Sequence, residues 1–284
     1  MPFEHTPRRR ALKLLAAAGA AAALGWAAPA CAADGSLDRI RAAGVIKIGV
    51  EGTFPPFSYR QGGELIGYDV DLAAIVFKKL GVKVQFVDTQ WSGVVLALLS
   101  GRFDIIMSSL SYTKERMEKV AYSIPYADSS LALLVRSGDA AKIKSLDDLS
   151  GLTLGLKAGT PEEVESSNFN KKVAAARGAG FKSVKTFDAD PPAYLALSQG
   201  SVDGVISNMT NLGMVLKQAP GKYALVQNIA GNSYAGIGIR KEDNDLRAYI
   251  DAEIKAAAAS GQMAALQEKW FGLKFQLPAA VPSL

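Results

Sequence analysis

The feature that most restricts what this chain can fold into is an alternation that runs almost its whole length. Short β-branched runs are separated by stretches of helical periodicity. Residues 45–50, 82–87 and 105–107 read as buried strands. Between the first two lies 70–80, where Val70, Ala73, Ala74, Phe77 and Leu80 share one helical face and Gly81 ends the helix. After Tyr126 the pattern starts afresh, with strands at 131–135, 152–156, 184–187 and 202–206. Helices open at Pro161 and run through 195–199 and 208–217. Further strands at 225–226 and 235–239 follow, the latter returning to the first unit, and helices at 243–260 and 262–270 close the chain. The pattern implies an α/β fold with mainly parallel sheets covered by helices on both faces. Such sheets bind ligands beyond the carboxyl ends of their strands, so the loops after strands are where functional residues are expected.

The N-terminus breaks the pattern. Arg8, Arg9, Arg10 and Lys13 precede an apolar run over 14–28, and Ala30-Cys31-Ala32 then offers the small residues a signal peptidase accepts. A signal peptide over 1–32 and export to the periplasm are expected. Arg8-Arg9 also suits a twin-arginine route, and Sec export stays open beside it. A lipid anchor on Cys31 is the weaker reading, because Ala28 stands where a lipoprotein signal carries a bulky aliphatic. Cleavage takes four of the 32 basic and one of the 27 acidic residues, leaving 28 and 26, a net +2. It also takes His5 and Cys31, the only histidine and the only cysteine. What remains cannot build Ser-His-Asp or Cys-His nucleophiles, an ordinary zinc site or a disulfide. No basic cluster with interleaved aromatics survives, so nucleic acid is not an expected partner. Neither a cofactor nor a metal is expected, and the chain is not read as an enzyme.

Six segments carry a family likeness. They are Glu51-Gly52-Thr53-Phe54-Pro55-Pro56-Phe57, Gly67-Tyr68-Asp69-Val70-Asp71-Leu72-Ala73, residues 107–116, Tyr122-Ser123-Ile124-Pro125-Tyr126, Gly159-Thr160 and Glu268-Lys269-Trp270-Phe271-Gly272. In that order they resemble the type II periplasmic solute-binding proteins of polar amino-acid ABC importers (bacterial extracellular solute-binding protein family 3), in particular the lysine/arginine/ornithine- and histidine-binding branch. The resemblance implies a periplasmic-binding-protein-like II fold: two Rossmann-like lobes with mixed, mainly parallel sheets joined by a two-segment hinge. Lobe 1 would take residues 34–127 plus 232–284 and lobe 2 residues 128–231. It further implies a monomer that closes over an amino-acid-like ligand and presents it to the importer's membrane subunits. Two alternatives stand beside this: a periplasmic dehydratase-like enzyme on the same fold, needing a protonated carboxyl in the cleft for which Glu51 is the candidate, and a sensing protein for a separate receptor.

A zwitterionic ligand needs a partner for each charge and a holder for its side chain. Arg116 can offer a bidentate fork to a carboxylate, on a short helix that Thr113 would cap. Ser109 and Ser111 alternate with Leu110, so in extended chain both hydroxyls face one side, and the resemblance adds Ser108 to this ligand-binding run. The resemblance makes Phe54 and Trp91 the sandwich around the ligand's aliphatic part, and Gly159-Thr160 the opposite lobe's carboxylate-binding turn, with Pro161 starting a helix. Glu51 stands where relatives place an aspartate facing the ligand side chain. Asn208 departs from the family, which usually has an aspartate there for the ligand ammonium. Either Glu51 serves that ammonium or the ligand is not a standard α-amino acid, and Asn208→Asp is expected to tighten binding of an ordinary one. Asp69 and Asp71, two apart at a helix start, read as a cap and dipole partners.

Overall fold

The apolar runs become the inner strands of two sheets, each covered by helices on both faces. The structure, a computed structural model, describes residues 34–226, 229 and 233–284, so the expected signal peptide and Cys31 lie outside the described residues. In chain order the elements are α1 (Ser36–Ala43), β1 (Val45–Val50), β2 (Thr53–Phe54), β3 (Ser58–Gln61), β4 (Glu64–Ile66), α2 (Tyr68–Val76), β5 (Lys83–Asp88), α3 (Val94–Leu99) and β6 (Ile105–Ser111). There follow α4 (Lys114–Lys119), β7 (Ala121–Tyr122), β8 (Ala127–Asp128), β9 (Leu131–Arg136), β10 (Thr153–Lys157), α5 (Pro161–Arg177), β11 (Ser183–Phe187) and α6 (Asp190–Ser198). The chain continues through β12 (Gly204–Asn208), α7 (Met209–Gln218), β13 (Tyr223–Val226), β14 (Tyr234–Ile239), α8 (Asn244–Ala259) and α9 (Gln262–Phe271).

The first sheet has the order β5-β1-β6-β14-β7, with β8 also pairing β14. In it β1 runs parallel to β5 and β6, and β14 is antiparallel to its neighbours. The second sheet, β11-β10-β12-β9-β13, is parallel across β11, β10 and β12 and antiparallel at β9 and β13. Side chains alternate between its two cores: Leu133 and Val135 pack with Leu154, Leu156 and Phe169, whereas Ala132 and Leu134 pack with Val205, Leu197 and Leu212. In the first sheet Ile105 and Met107 join Ile46, Ile48 and Leu72, while Ile106 and Leu110 join Leu98 and Phe103. Burial on both faces is why these strands read as continuous apolar runs.

The chain crosses between the sheets twice, between β8 and β9 and between β13 and β14. The crossings are bonded together: Ser129 N donates to Ser233 O at 2.9 Å, and the two hydroxyls lie 3.0 Å apart. The carboxyl ends of β1, β6, β10 and β12 converge on the crevice between the sheets, and this places the site.

Several expectations shift. The strand expected at 202–206 is β12, two residues later, and the helix expected over 70–80 is α2 followed by a 3₁₀ turn at Lys78–Leu80. The small antiparallel sheet β2-β3-β4 was not anticipated, although Gly62-Gly63 between paired Gln61 and Glu64 is a two-residue hairpin signal. Polar residues in β3 and β4 hid it. Neither Asp69 nor Asp71 caps α2, whose N-cap position is Gly67. Asp71 instead accepts from Lys269 Nζ (2.7 Å) and Trp270 Nε1 (2.8 Å) of α9, and Asp69 is fully buried. Among the described residues no helix is long and apolar enough to cross a membrane.

Candidate functional site

Four strand ends build the crevice. After β1, the backbone of Glu51 is pinned on both sides: its N–H donates to Ser108 Oγ (3.2 Å) and its carbonyl accepts from Ser58 Oγ (2.8 Å). The end of β6 carries Ser108, Ser109 and Ser111. Ser109 has φ +48°, a left-handed conformation that a non-glycine residue keeps only when its surroundings hold it. The hydroxyl of Tyr126 does so, accepting from Ser109 N at 2.8 Å. The expected extended run is therefore kinked at Ser109, yet Ser108, Ser109 and Ser111 all line one cavity.

Thr113 caps α4, its Oγ1 accepting from Arg116 N at 3.2 Å. The guanidinium of Arg116 lies 5.3 Å from the ring centre of Trp91. It donates to Ser111 O (3.1 Å) on its own side and to Gly159 O (2.8 Å) across the crevice. Gly159 has φ +73°, and a Cβ there would sit 2.9 Å from Ser92 Cα, so the approach of the two halves at this point requires glycine. Thr160 caps α5, accepting from Glu163 N (3.4 Å) and donating to Lys157 O (2.7 Å), with Pro161 in the first turn. Asn208, at the end of β12, is buried and donates from Nδ2 to Ser109 Oγ at 3.2 Å, a second bond across the crevice.

Phe54, Trp91, Ser108, Ser109, Ser111, Thr160 and Asn208 line a central cavity of about 20 Å³, room for about one water molecule. Arg116 and Gly159 do not face it. They line a neighbouring groove of about 750 Å³, which shares Trp91 and Thr160 with the central cavity. Glu51 lines a further groove of about 610 Å³, and Trp91 borders that one too.

Three charged residues of the site escaped the sequence reading: Lys157, Glu162 and Asp190. All three line the central cavity and all are buried. The ammonium of Lys157 pairs with Glu51 Oε2 and with Asp190 Oδ2 (3.3 Å), and lies 4.6 Å from the ring centre of Phe54 and 5.0 Å from that of Trp91. Burial opposes its charge, but Asp190 and Glu51 outweigh burial and hold the ammonium above its ordinary value. Losing one member of such a buried group costs roughly 3–5 kcal/mol. Burial, reinforced by Asp190, pushes the Glu162 carboxyl up to about 7. Lys157 could have been found: it is the one charged residue of β10, at the carboxyl end where ligands bind. Asp190 and Glu162, each beside proline in a helix's first turn, gave only capping signals. Both line the same cavity as Asn208, so acidic groups stand there that the expectation for Asn208→Asp did not count. Burial also pushes the Glu51 carboxyl up, against the pull of Lys157, so Glu51 and Glu162 are both raised carboxyls of the cleft.

Two helix-covered sheets joined by a double crossing, with a polar crevice at their strand ends, define a two-lobed solute-binding fold. Residues 46–273 match the bacterial extracellular solute-binding proteins, family 3, and the chain belongs to that family. It is 29% identical over 273 residues to the L-cystine-binding protein TcyJ of Escherichia coli (strain K12), covering 96% of this chain and 98% of that protein. It is 27% identical over 237 residues to a probable amino-acid ABC transporter-binding protein of Haemophilus influenzae, covering 83% and 88%. Among solved structures, holo ArgBP from T. maritima is similar with a TM-score of 0.71 at 31% identity, covering 82% of this chain and 99% of that one.

Proposed function

We propose that this protein is the periplasmic substrate-binding component of an ABC importer, taking an amino acid or amino-acid derivative between its lobes and closing over it. The lobes are residues 34–127 plus 232–284 and residues 128–231, hinged at the two crossings. Family membership and the amino-acid-binding relatives support the reading. The observation that carries it is Arg116, which touches both sides of the crevice at once.

The mechanism is conformational. Arg116 to Gly159 O, Asn208 to Ser109 and Lys157 to Glu51 are contacts that exist only when the lobes meet. A ligand that adds bonds to both lobes favours the closed state by its differential affinity, and the importer's membrane subunits read the closed form. The guanidinium keeps N–H groups beyond the two already committed, enough to grip a ligand carboxylate in the groove it lines. Binding is the whole of the activity, and no residue is assigned a catalytic role. The dehydratase-like alternative draws on the raised carboxyls of Glu51 and Glu162. Product formation from arogenate- or prephenate-like compounds would establish it.

Arg116→Ala is expected to weaken amino-acid binding at least 100-fold, measured by titration calorimetry on the ligand the wild type binds best. Unchanged affinity counts against the anchor.

A further inference from the structure

The side chain of Lys157 occupies the place where a cationic ligand would be expected to go. It lies against both Phe54 and Trp91, and its ammonium has two carboxylate partners, Glu51 and Asp190. Its side chain is 4% exposed, and its carbonyl is tied down by Thr160 Oγ1 at 2.7 Å. Beside it only about 20 Å³ of the central cavity is free.

We infer that Lys157 is the residue that sets side-chain specificity: it excludes dibasic amino acids and selects ligands whose far end presents a hydrogen-bond acceptor, such as a carboxylate, an amide or a second amino-acid head group. This rests on the reading of the crevice as an amino-acid site. A ligand cation entering the aromatic pair must first expel Lys157, and the exchange replaces one ammonium by another on the same two carboxylates. Nothing electrostatic is gained, and a buried lysine has to be rehoused. An acceptor-ended ligand leaves Lys157 in place. An ammonium has three N–H donors; Glu51 takes one and Asp190 is held as an ion pair at 3.3 Å, so at least one remains for a ligand oxygen. Charge points the same way. Beside Glu162, which is common to both cases, Glu51, Asp190 and Lys157 together carry −1, whereas without Lys157 they carry −2, which suits a ligand with one more cationic group. Trp91 and Thr160 line both the central cavity and the groove of Arg116, so a ligand with its α-carboxylate on Arg116 can extend its far end toward Lys157.

The test is calorimetric titration of wild type, Lys157→Met and Lys157→Arg with L-lysine, L-arginine, L-glutamine, L-glutamate and L-cystine. The wild type is expected to bind at least one of the last three ten times or more tighter than lysine and arginine. In Lys157→Met that preference should shift at least tenfold toward lysine and arginine, and Lys157→Arg should keep the wild-type ranking. Because Lys157→Met leaves two carboxylates without their cation, melting curves are run first. The double variant Lys157→Met/Glu51→Gln restores the charge of −1 without an ammonium, and should lose the acceptor preference without gaining the dibasic one. A wild type that prefers lysine or arginine, or a Lys157→Met ranking equal to the wild type, overturns the inference while leaving the amino-acid site intact. Failure of all five to bind the folded wild type overturns the amino-acid reading itself and this inference with it.

Discussion

Two groups of buried charge in this protein have nearly the same make-up and opposite uses. In the cleft, Lys157 meets Glu51 and Asp190, all with side chains no more than 5% exposed, and the group spans the two lobes. At the other end of the first sheet, where β6 begins and β14 ends, Arg240 meets Asp104 (3.7 Å) and Asp243 (2.7 Å), with 11%, 13% and 9% exposure. Arg39 joins from α1 but is 51% exposed and adds little. Arg240 also donates to Phe103 O at 2.9 Å, and Asp104 Oδ2 accepts from Lys47 N at 2.9 Å. Every partner in this second group belongs to one lobe, so it fastens strand ends and helices that do not separate. On the proposed hinge closure, the cleft group is made and broken as the lobes meet. Sequence distance does not tell them apart, since Glu51 and Lys157 are 106 residues apart and Arg39 and Asp243 are 204. What separates them is whether a hinge lies between the partners.

The contrast can be broken most forcefully at Asp104. Asp104→Ala leaves Arg240 short of a partner and Lys47 N without its acceptor, and is expected to cost roughly 3–5 kcal/mol. That is on the order of 10 °C in melting temperature for a chain of this size. Ligand affinity, measured in the same preparation, should stay within about twofold of wild type. A clear loss of affinity would show that the far group reaches the cleft.

Asp69 sharpens the comparison from the other side, as a buried carboxyl with no cation. Burial pushes it up to about 7, the Tyr126 hydroxyl pulling the other way. Its folded value lies above its unfolded one, so the stability it contributes is complete below pH 3.8 and is lost as pH rises through 7. Asp69→Asn should therefore stand close to wild type at pH 4 and be more stable than it at pH 8, by an amount on the order of 2–4 kcal/mol. Glu162, raised to about 7 for the same reason, keeps part of the slope in the variant. Equal shifts at both pH values would contradict this account.

The smallest effect is expected at Asn208. Since Asp190 and Glu162 already place negative charge around the cavity, Asn208→Asp should change affinity less than about threefold by calorimetry. A tenfold gain would return the ligand ammonium to Asn208 and take it from the acidic residues of lobe 2.

Most of the fold was legible because burial on both faces of a strand leaves a continuous apolar run, and 105–107 and 131–135 are such runs. The polar hairpin of β3 and β4 was not, since its residues are largely half-buried or exposed and carry no apolar alternation. The site was legible where a residue's chemistry and its local turn agree. Thr113 with Arg116, and Gly159 with Thr160 and Pro161, are cap and turn signals written within a few residues. Lys157 was not, because its meaning lies in Glu51 and Asp190, which reach it from other elements.

The amino-acid sequence by itself determined the α/β alternation, the lack of any histidine or cysteine beyond Cys31, and the short-range geometry that puts Arg116 and Thr160 at helix starts. These depend on periodicity and on contacts between near neighbours. Only the tertiary structure decided that a lysine lies between Phe54 and Trp91, that Asn208 has acidic residues beside it, and that Arg116 bonds the opposite half. Electrostatic balance in a buried cleft is a sum over groups distant in the chain, and it exists only once the chain has brought them within a few ångströms.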